Sequence, residues 1–220
     1  MKQTMKKGSV LTSIVLTSGL LAMTGNSYAA MTLDGEFTGN ITATSTYLWR
    51  GQVQTAAALQ GGVNYNDKSG LHGGLWTSNA GPGDELDIIL GFSGKSAALS
   101  FDVGAIFYQY AGYVGSASNA NFEEIYANVS QGQFSAQVSN SSDQGTYFEV
   151  AGTFPVKTWE MTAHFGHYSR DDKIGPDYAD YNVSFKKALP DYSVSFMISD
   201  TDLNSDDVRT VVSVSKNFQP

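Results

Sequence analysis

The feature that most constrains the fold is an alternation of apolar and polar residues that begins at residue 33 and continues almost to the end. Within residues 33–49 the odd positions are mainly apolar, as at Phe37 and Ile41, and the even positions are mainly polar, with Leu48 as the exception. Successive side chains of a β-strand point to opposite faces, so this repeat predicts a strand with one apolar and one polar face. Helical spacing would scatter the same residues around the axis.

The same pattern recurs in about twelve segments of roughly nine to eleven residues, which is the length of a tilted strand that crosses a membrane. Their connections differ in length at alternate positions. Short turns such as residues 67–70, 93–96 and 131–133 alternate with mostly longer loops such as residues 51–57 and 111–121. Turns at one end and loops at the other are typical of an up-and-down barrel.

Aromatic residues mark one end of the apolar face, because in most segments they are its last member before a short turn. Tyrosine and tryptophan concentrate where a membrane meets water. We therefore predict an all-β fold, an up-and-down antiparallel transmembrane β-barrel of about 12 strands, rather than a soluble sandwich. The residues of this girdle are Tyr65, Phe92, Phe134, Phe154, Trp159, Phe185, Tyr192 and Phe218.

The amino terminus has the three parts of a secretory signal. Residues 1–7 are basic, residues 10–23 are apolar and uncharged, and Ser27 and Ala29 place small residues before a cleavage point. The apolar run is too short to span a membrane comfortably. We expect a cleaved signal peptide over residues 1–29 and one barrel domain over residues 30–220, exported to the bacterial outer membrane.

Charge and cysteine content exclude several classes of protein. Without the three lysines of residues 1–29, ten basic residues remain against 21 acidic ones, a net charge of −11. Such a balance argues against nucleic acid as a partner. The chain has no cysteine, so no disulfide stabilises it. No nucleotide fingerprint, zinc spacing or phosphate loop is present, and we expect no cofactor and no enzymatic activity.

Several ordered blocks carry a resemblance to a known family. The blocks TYLWRGQVQT, ALQGGVNY, GLHGGLWTSN, ELDIILGFSG, FDVGAIFYQYAG and EEIYANVS, followed by VSVSKNF, resemble the TorF family of outer-membrane porins from about residue 40 to residue 218. Two departures are residues 52–53, where the family has Ser-Gln-Thr directly after Arg-Gly, and residues 219–220, which follow the aromatic residue that the assembly machinery reads. The resemblance implies passive transport and names no solute.

If the apolar faces meet lipid, the opposite faces line the interior. Their acidic excess favours neutral or cationic solutes, whereas mutual hydrogen bonding that plugs the barrel is the alternative. Tyr47 and Trp49 share the apolar parity, so we expect them to face outward at the far interface, with Arg50 turned to the lumen mouth. The pore-lining candidates are Arg50, Asp87, Asp102, Tyr108, Glu124, Glu149, His164, Asp180 and Arg209.

Two further patterns suggest other functions. His167 and Ser169 have the His-x-Ser spacing of outer-membrane phospholipase, so a lipid hydrolase is one alternative, but no third group supports a catalytic site. The acidic residues 200–207 resemble a calcium loop, yet Ser205 and Val211 stand where glycine and glutamate are required, so no metal site is predicted. A closed barrel with a structural or adhesive role is the third reading. Expected partners are outer-membrane lipid, lipopolysaccharide, the barrel-assembly machinery and a small solute. The chain could also form an oligomer, which none of these three functions excludes.

Overall fold

The computed structural model describes residues 34–80, 83–111, 121–204 and 207–219, so the predicted signal peptide lies outside the described part. Twelve strands form within these residues and close into one barrel. They are β1 (Gly35–Trp49), β2 (Gln52–Asp67), β3 (Leu71–Ala80), β4 (Gly83–Ser96), β5 (Leu99–Ala111), β6 (Phe122–Gln131), β7 (Phe134–Ser141), β8 (Gly145–Val156), β9 (Trp159–Arg170), β10 (Tyr178–Ala188), β11 (Ser193–Thr201) and β12 (Arg209–Phe218).

Every strand pairs in antiparallel fashion with its neighbours in sequence, and β1 pairs with β12 to close the wall. The closing register runs from Gly39 opposite Phe218 to Thr44 opposite Ser213. The prediction of an all-β, up-and-down barrel with 12 strands is therefore confirmed. Among the described residues no helix has the length and apolar character needed to cross a membrane.

The apolar faces of the strands lie on the outside of the barrel. Leu59 is 64% exposed and Ile125 is 66% exposed, although both would be core residues in a water-soluble sandwich. The predicted girdle follows the same side, with Phe134 and Trp159 exposed near short turns. A continuous exposed apolar surface of this kind is suited to contact with lipid.

The two rims of the barrel differ in their connections. We call the rim that carries residues 68–70, 97–98, 132–133, 157–158 and 189–192 the turn end, and the rim that carries residues 50–51, 142–144 and 171–177 the loop end. The predicted turn at residues 93–96 was placed too early, because β4 continues to Ser96 and stays paired with Leu99.

The prediction of a loop over residues 51–57 was wrong. Trp49 pairs directly with Gln52, so only Arg50 and Gly51 connect β1 to β2. Both have positive φ, at 50° and 76°, as a two-residue type I′ hairpin turn requires. Residues 52–57 lack an apolar alternation, but backbone pairing with β1 keeps them in the sheet.

The orientation predicted for Tyr47 and Trp49 was also wrong. The β1–β2 register shifts between Tyr47 and Leu48, and Leu48 then pairs with the exposed Val53. On β1 itself the inner face changes from even to odd positions between the buried Thr44 and Tyr47, and the pairing of β1 with β12 ends at Thr44. An irregularity of one residue exchanges the inner and outer faces of the residues beyond it. Tyr47 and Trp49 consequently point into the barrel, where Tyr47 contacts the Trp76 ring at a centroid distance of 5.6 Å.

Candidate functional site in the barrel interior

The buried side chains of the barrel concentrate in the half nearer the loop end. They combine aromatic rings with carboxylates and hydroxyls rather than aliphatic groups. The largest of the fully buried side chains are Glu85, Glu124, Tyr168, Tyr178 and Asp180, all at 1–2% exposure. A hydrocarbon core is therefore absent from the described interior, and its packing is polar and aromatic.

Arg50 occupies the middle of this half. Its guanidinium lies 4.3 Å from the ring centroids of Trp49 and Tyr147 and 4.6 Å from that of Tyr168. One of its nitrogens donates to both carboxylate oxygens of Glu124, at 2.8 and 2.9 Å. The side chains of Arg50 and Glu124 are only 7% and 1% exposed, so the ion pair is desolvated and fully enclosed by protein.

The rings around Arg50 meet across the lumen. Trp49 on β1 contacts Phe122 on β6 at 6.0 Å and Tyr168 on β9 at 5.8 Å, although at least three strands separate these elements along the wall in either direction. Tyr108 stacks on Phe122 at 4.2 Å and donates a hydrogen bond to Glu124. We call this group the plug; it consists of Trp49, Arg50, Tyr108, Phe122, Glu124, Tyr147, Tyr168 and Tyr178.

The hairpin turn is held inside the barrel by its neighbours. The Tyr178 hydroxyl donates to the Arg50 carbonyl oxygen at 2.9 Å. A Cβ atom on Gly51 would come within 2.6 Å of Thr201 and 2.8 Å of Asp180, so glycine is required by space as well as by its φ. The turn thus folds inward and delivers Arg50 to the plug.

A second polar network extends from the plug toward the turn end. Tyr147 donates to Asp180 at 2.8 Å, and His164 lies 3.0 Å from Glu149 through Nε2 and 3.5 Å from Asp180 through Nδ1. Gly166 makes room for it, because a side chain there would collide with Tyr147 and Asp180. The network links three strands, β8, β9 and β10, along the inner wall.

The inner face of the turn-end half is lined by smaller and partly exposed residues. His72 and Asp102 lie 3.0 Å apart with side chains 14% and 33% exposed. Asn128 donates to Gln137 at 3.4 Å. Gly91 leaves space for the His72 ring. We call this half the vestibule, and its inner wall is accessible to solvent.

The nine predicted pore-lining residues all lie on inner faces of strands or in the inward turn. Arg50, Tyr108 and Glu124 come together in the plug, and Glu149, His164 and Asp180 share the second network. Asp87 lies opposite Tyr108 and Asp102 opposite Asn128, while Arg209 lies opposite the buried Ser199. Their role in lining a conducting path remains a prediction.

The sequence analysis missed the aromatic residues that fill the plug. Tyr168 and Tyr178 have the same parity as His164 and Asp180, so their inward direction was readable from the alternation. For Trp49 the only signal in the sequence was Leu48, which is apolar although the preceding even positions from residue 34 are polar. An apolar residue at this position indicates that the inner and outer faces of β1 have exchanged.

The structure does not bring together the residues of the two alternative sites, the hydrolase pair and the acidic loop. His167 and Ser169 are both exposed on the outer face of β9, and among the described residues no hydrogen bond joins them. Residues 205–206 of the acidic loop lie outside the described part. Elsewhere in the described chain no group of three or more His, Asp or Glu side chains is arranged to hold a metal ion.

Comparison with protein families gives a match over residues 29–218 to a family described as "Bacterial protein of unknown function (Gcw_chp)". The chain belongs to the Gcw_chp family. A comparison of this Gcw_chp chain with curated proteins finds no match.

Solved structures share the fold at low identity. The structure named KdgM porin has a TM-score of 0.58 at 10% identity, covering 82% of this chain and 99% of its own. The NanC porin has a TM-score of 0.52 at 9% identity, covering 81% of this chain and 97% of its own. Omp33 of Acinetobacter baumannii has a TM-score of 0.52 at 8% identity, covering 86% and 99%. These likenesses extend over nearly the whole barrel and support a porin-like fold.

Proposed function

We propose that this Gcw_chp protein is an outer-membrane porin that allows passive diffusion of small neutral or cationic solutes. The observation that carries the proposal is the inversion of polarity across the wall of a closed barrel, with apolar side chains outside and polar, charged ones inside. Polar lining is what a water-filled path requires. The fold shared with KdgM and NanC, both named porins, adds support, and so does the resemblance to the TorF family.

Charge inside the barrel sets the class of solute. The plug and the second network contain three carboxylates, Glu124, Glu149 and Asp180, and Asp87 and Asp102 add two more on neighbouring strands. Only Arg50 and Arg209 oppose them among the nine candidates. Rings of acidic side chains favour cations over anions in a narrow passage.

The size of the barrel fits small solutes. Twelve strands enclose a bore between those of filled eight-stranded barrels and open sixteen-stranded porins. The plug narrows the loop-end half further, so passage depends on the space beside it. An outer-membrane location, contact with lipid and lipopolysaccharide, export through residues 1–29 and insertion by the barrel-assembly machinery belong to the same proposal.

Planar-bilayer recording tests the channel function. The purified mature protein should produce conductance steps with cation selectivity. Selectivity should fall when Asp87, Asp102 and Glu124 are changed to Asn, Asn and Gln, since each change removes an inner negative charge. Glu123→Gln is the matched control, because Glu123 neighbours Glu124 but is exposed on the outer face.

A closed barrel with a structural or adhesive role is the second candidate. It is favoured by one observation, the contacts that join β1, β6 and β9 across the lumen. Absence of conductance from correctly folded protein would establish this reading and reject the porin.

A further inference from the structure

A small cavity lies against the inner wall formed by β1 to β5, next to the plug. It has a volume of about 240 Å³. Four aromatic side chains, one carboxylate and two asparagines line it, together with Gly62, Leu75 and Ile89. Its principal residues are Asn40, Tyr47, Trp49, Asn64, Trp76, Asp87 and Tyr108.

Asp87 supplies the carboxyl group of this cavity. It is only 8% exposed, and its Oδ1 atom has no hydrogen-bond partner among the described residues. No described Lys, Arg or His forms an ion pair with it; the nearest acidic neighbour on the same face, Glu85, accepts from the Tyr110 hydroxyl instead. A buried carboxylate oxygen without a partner is costly, so a positively charged ligand at this position would be stabilised.

The aromatic residues surround the carboxylate. Trp76 and Tyr108 lie directly opposite Asp87 on the two neighbouring strands, β3 and β5. Directly opposite residues on one face have Cβ atoms about 4.5–5.5 Å apart. Tyr47 packs edge-on against Trp76, and Trp49 packs edge-on against Tyr108. Aromatic faces attract cations, and several rings around one point are the usual means of binding substituted ammonium groups.

The plug provides an internal precedent for this chemistry. In the plug, the guanidinium of Arg50 lies among three aromatic rings, one of which is Trp49. The same guanidinium is paired with the Glu124 carboxylate. The cavity likewise combines Trp49 and further rings with a carboxyl group. No described residue supplies a cation to it, so the cation would be a ligand.

We propose that the cavity formed by Tyr47, Trp49, Trp76, Asp87 and Tyr108 is a binding site for small organic cations, namely substituted or quaternary ammonium compounds. The volume is below the range of about 300–1,000 Å³ for drug-sized ligands, so the ligand is small. A divalent metal ion is disfavoured, since Mg²⁺ and Ca²⁺ require about six or more oxygen ligands and these walls are mainly aromatic. The proposal deepens the porin function and rests on it, since it names the solute class for which the lumen has a site.

Titration calorimetry on the full mature protein, folded in detergent, tests the site with choline and with 3,3-dimethylbutan-1-ol, its neutral isostere. Choline should bind saturably, and the neutral alcohol should bind at least about tenfold more weakly, because it lacks the charge that Asp87 and the rings recognise. Asp87→Asn should weaken choline binding at least about tenfold, while Glu123→Gln should leave it unchanged. Trp76→Leu provides a second variant of the site, and heat-dependent gel mobility checks that each variant is folded.

Several results would overturn the proposed site, and three of them concern how choline binds. They are equal affinity for choline and the neutral alcohol, unchanged choline binding in folded Asp87→Asn or Trp76→Leu protein, and displacement of choline by equimolar Mg²⁺. Absence of choline binding by folded wild-type protein also rejects it. Bilayer conductance separates this failure from that of the channel, because conductance without choline binding rejects only the site, whereas binding without conductance rejects only the porin.

Discussion

The two halves of the barrel interior are built from the same strands yet are packed differently. In the loop-end half, aromatic rings and the ion pair of Arg50 with Glu124 meet across the lumen, and the Arg50 side chain is 7% exposed. In the turn-end half, Asp102 beside His72 remains 33% exposed, and glycines and small polar residues keep the side chains near the wall. Strand alternation decides only which side chains point inward. Their size then decides whether the interior is filled or left as a solvated vestibule.

The largest effect should come from breaking the ion pair of the plug. Arg50→Ala leaves the Glu124 carboxylate buried without its partner, and loss of one member of a buried pair costs about 3–5 kcal/mol. Urea unfolding in detergent or lipid should show a loss of that size. The double variant Arg50→Ala/Glu124→Ala should lose less than the sum of the single variants, because the orphaned charge is gone. Additive losses would show that the two side chains do not act as a pair.

Two tyrosines of the plug, Tyr147 and Tyr168, allow a matched comparison in which the expected changes in the free energy of unfolding are smaller. The Tyr147 hydroxyl donates to Asp180, so Tyr147→Phe should lower the free energy of unfolding by about 1.5–3 kcal/mol. The Tyr168 hydroxyl is buried without a hydrogen-bond partner among the described residues, so Tyr168→Phe should be neutral or stabilising. Urea unfolding of both variants checks the difference. Equal losses would contradict the assigned contacts.

The contact between Asp102 and His72 in the vestibule should contribute much less to stability. Asp102→Asn removes the charge 3.0 Å from His72, but the site is partly exposed and solvent screens it, so the expected loss of stability is below about 1 kcal/mol. The same urea titration applies. A loss as large as that of Arg50→Ala would show that the two halves are equally packed and would remove the distinction between plug and vestibule.

The smallest effect is expected at the turn-end rim. Lys68 and Asp34 form an ion pair of 2.7 Å, yet their side chains are 76% and 68% exposed. An exposed pair of this kind contributes little, so Lys68→Ala should leave the unfolding midpoint unchanged within error. A clear shift of the midpoint would indicate that the turn end contributes more to stability than its exposure suggests.

The sequence predicted the barrel well because a repeat of two is a property of each strand alone. Strand number, inner and outer faces and the girdle all follow from it, as Phe134 and Trp159 illustrate. The plug was less accessible, because it depends on one bulge near Tyr47 and on contacts between strands far apart in sequence. Leu48 signalled the reversal of faces, but nothing local indicates that Trp49 reaches Phe122 and Tyr168 across the lumen.

Single-channel recording of the mature protein in planar bilayers tests the central claim most directly. The porin account predicts discrete, cation-selective conductance steps in the wild type, and larger steps in Trp49→Ala because that change removes the ring that contacts both β6 and β9 across the lumen. Folded wild-type protein that inserts without producing any conductance would contradict it.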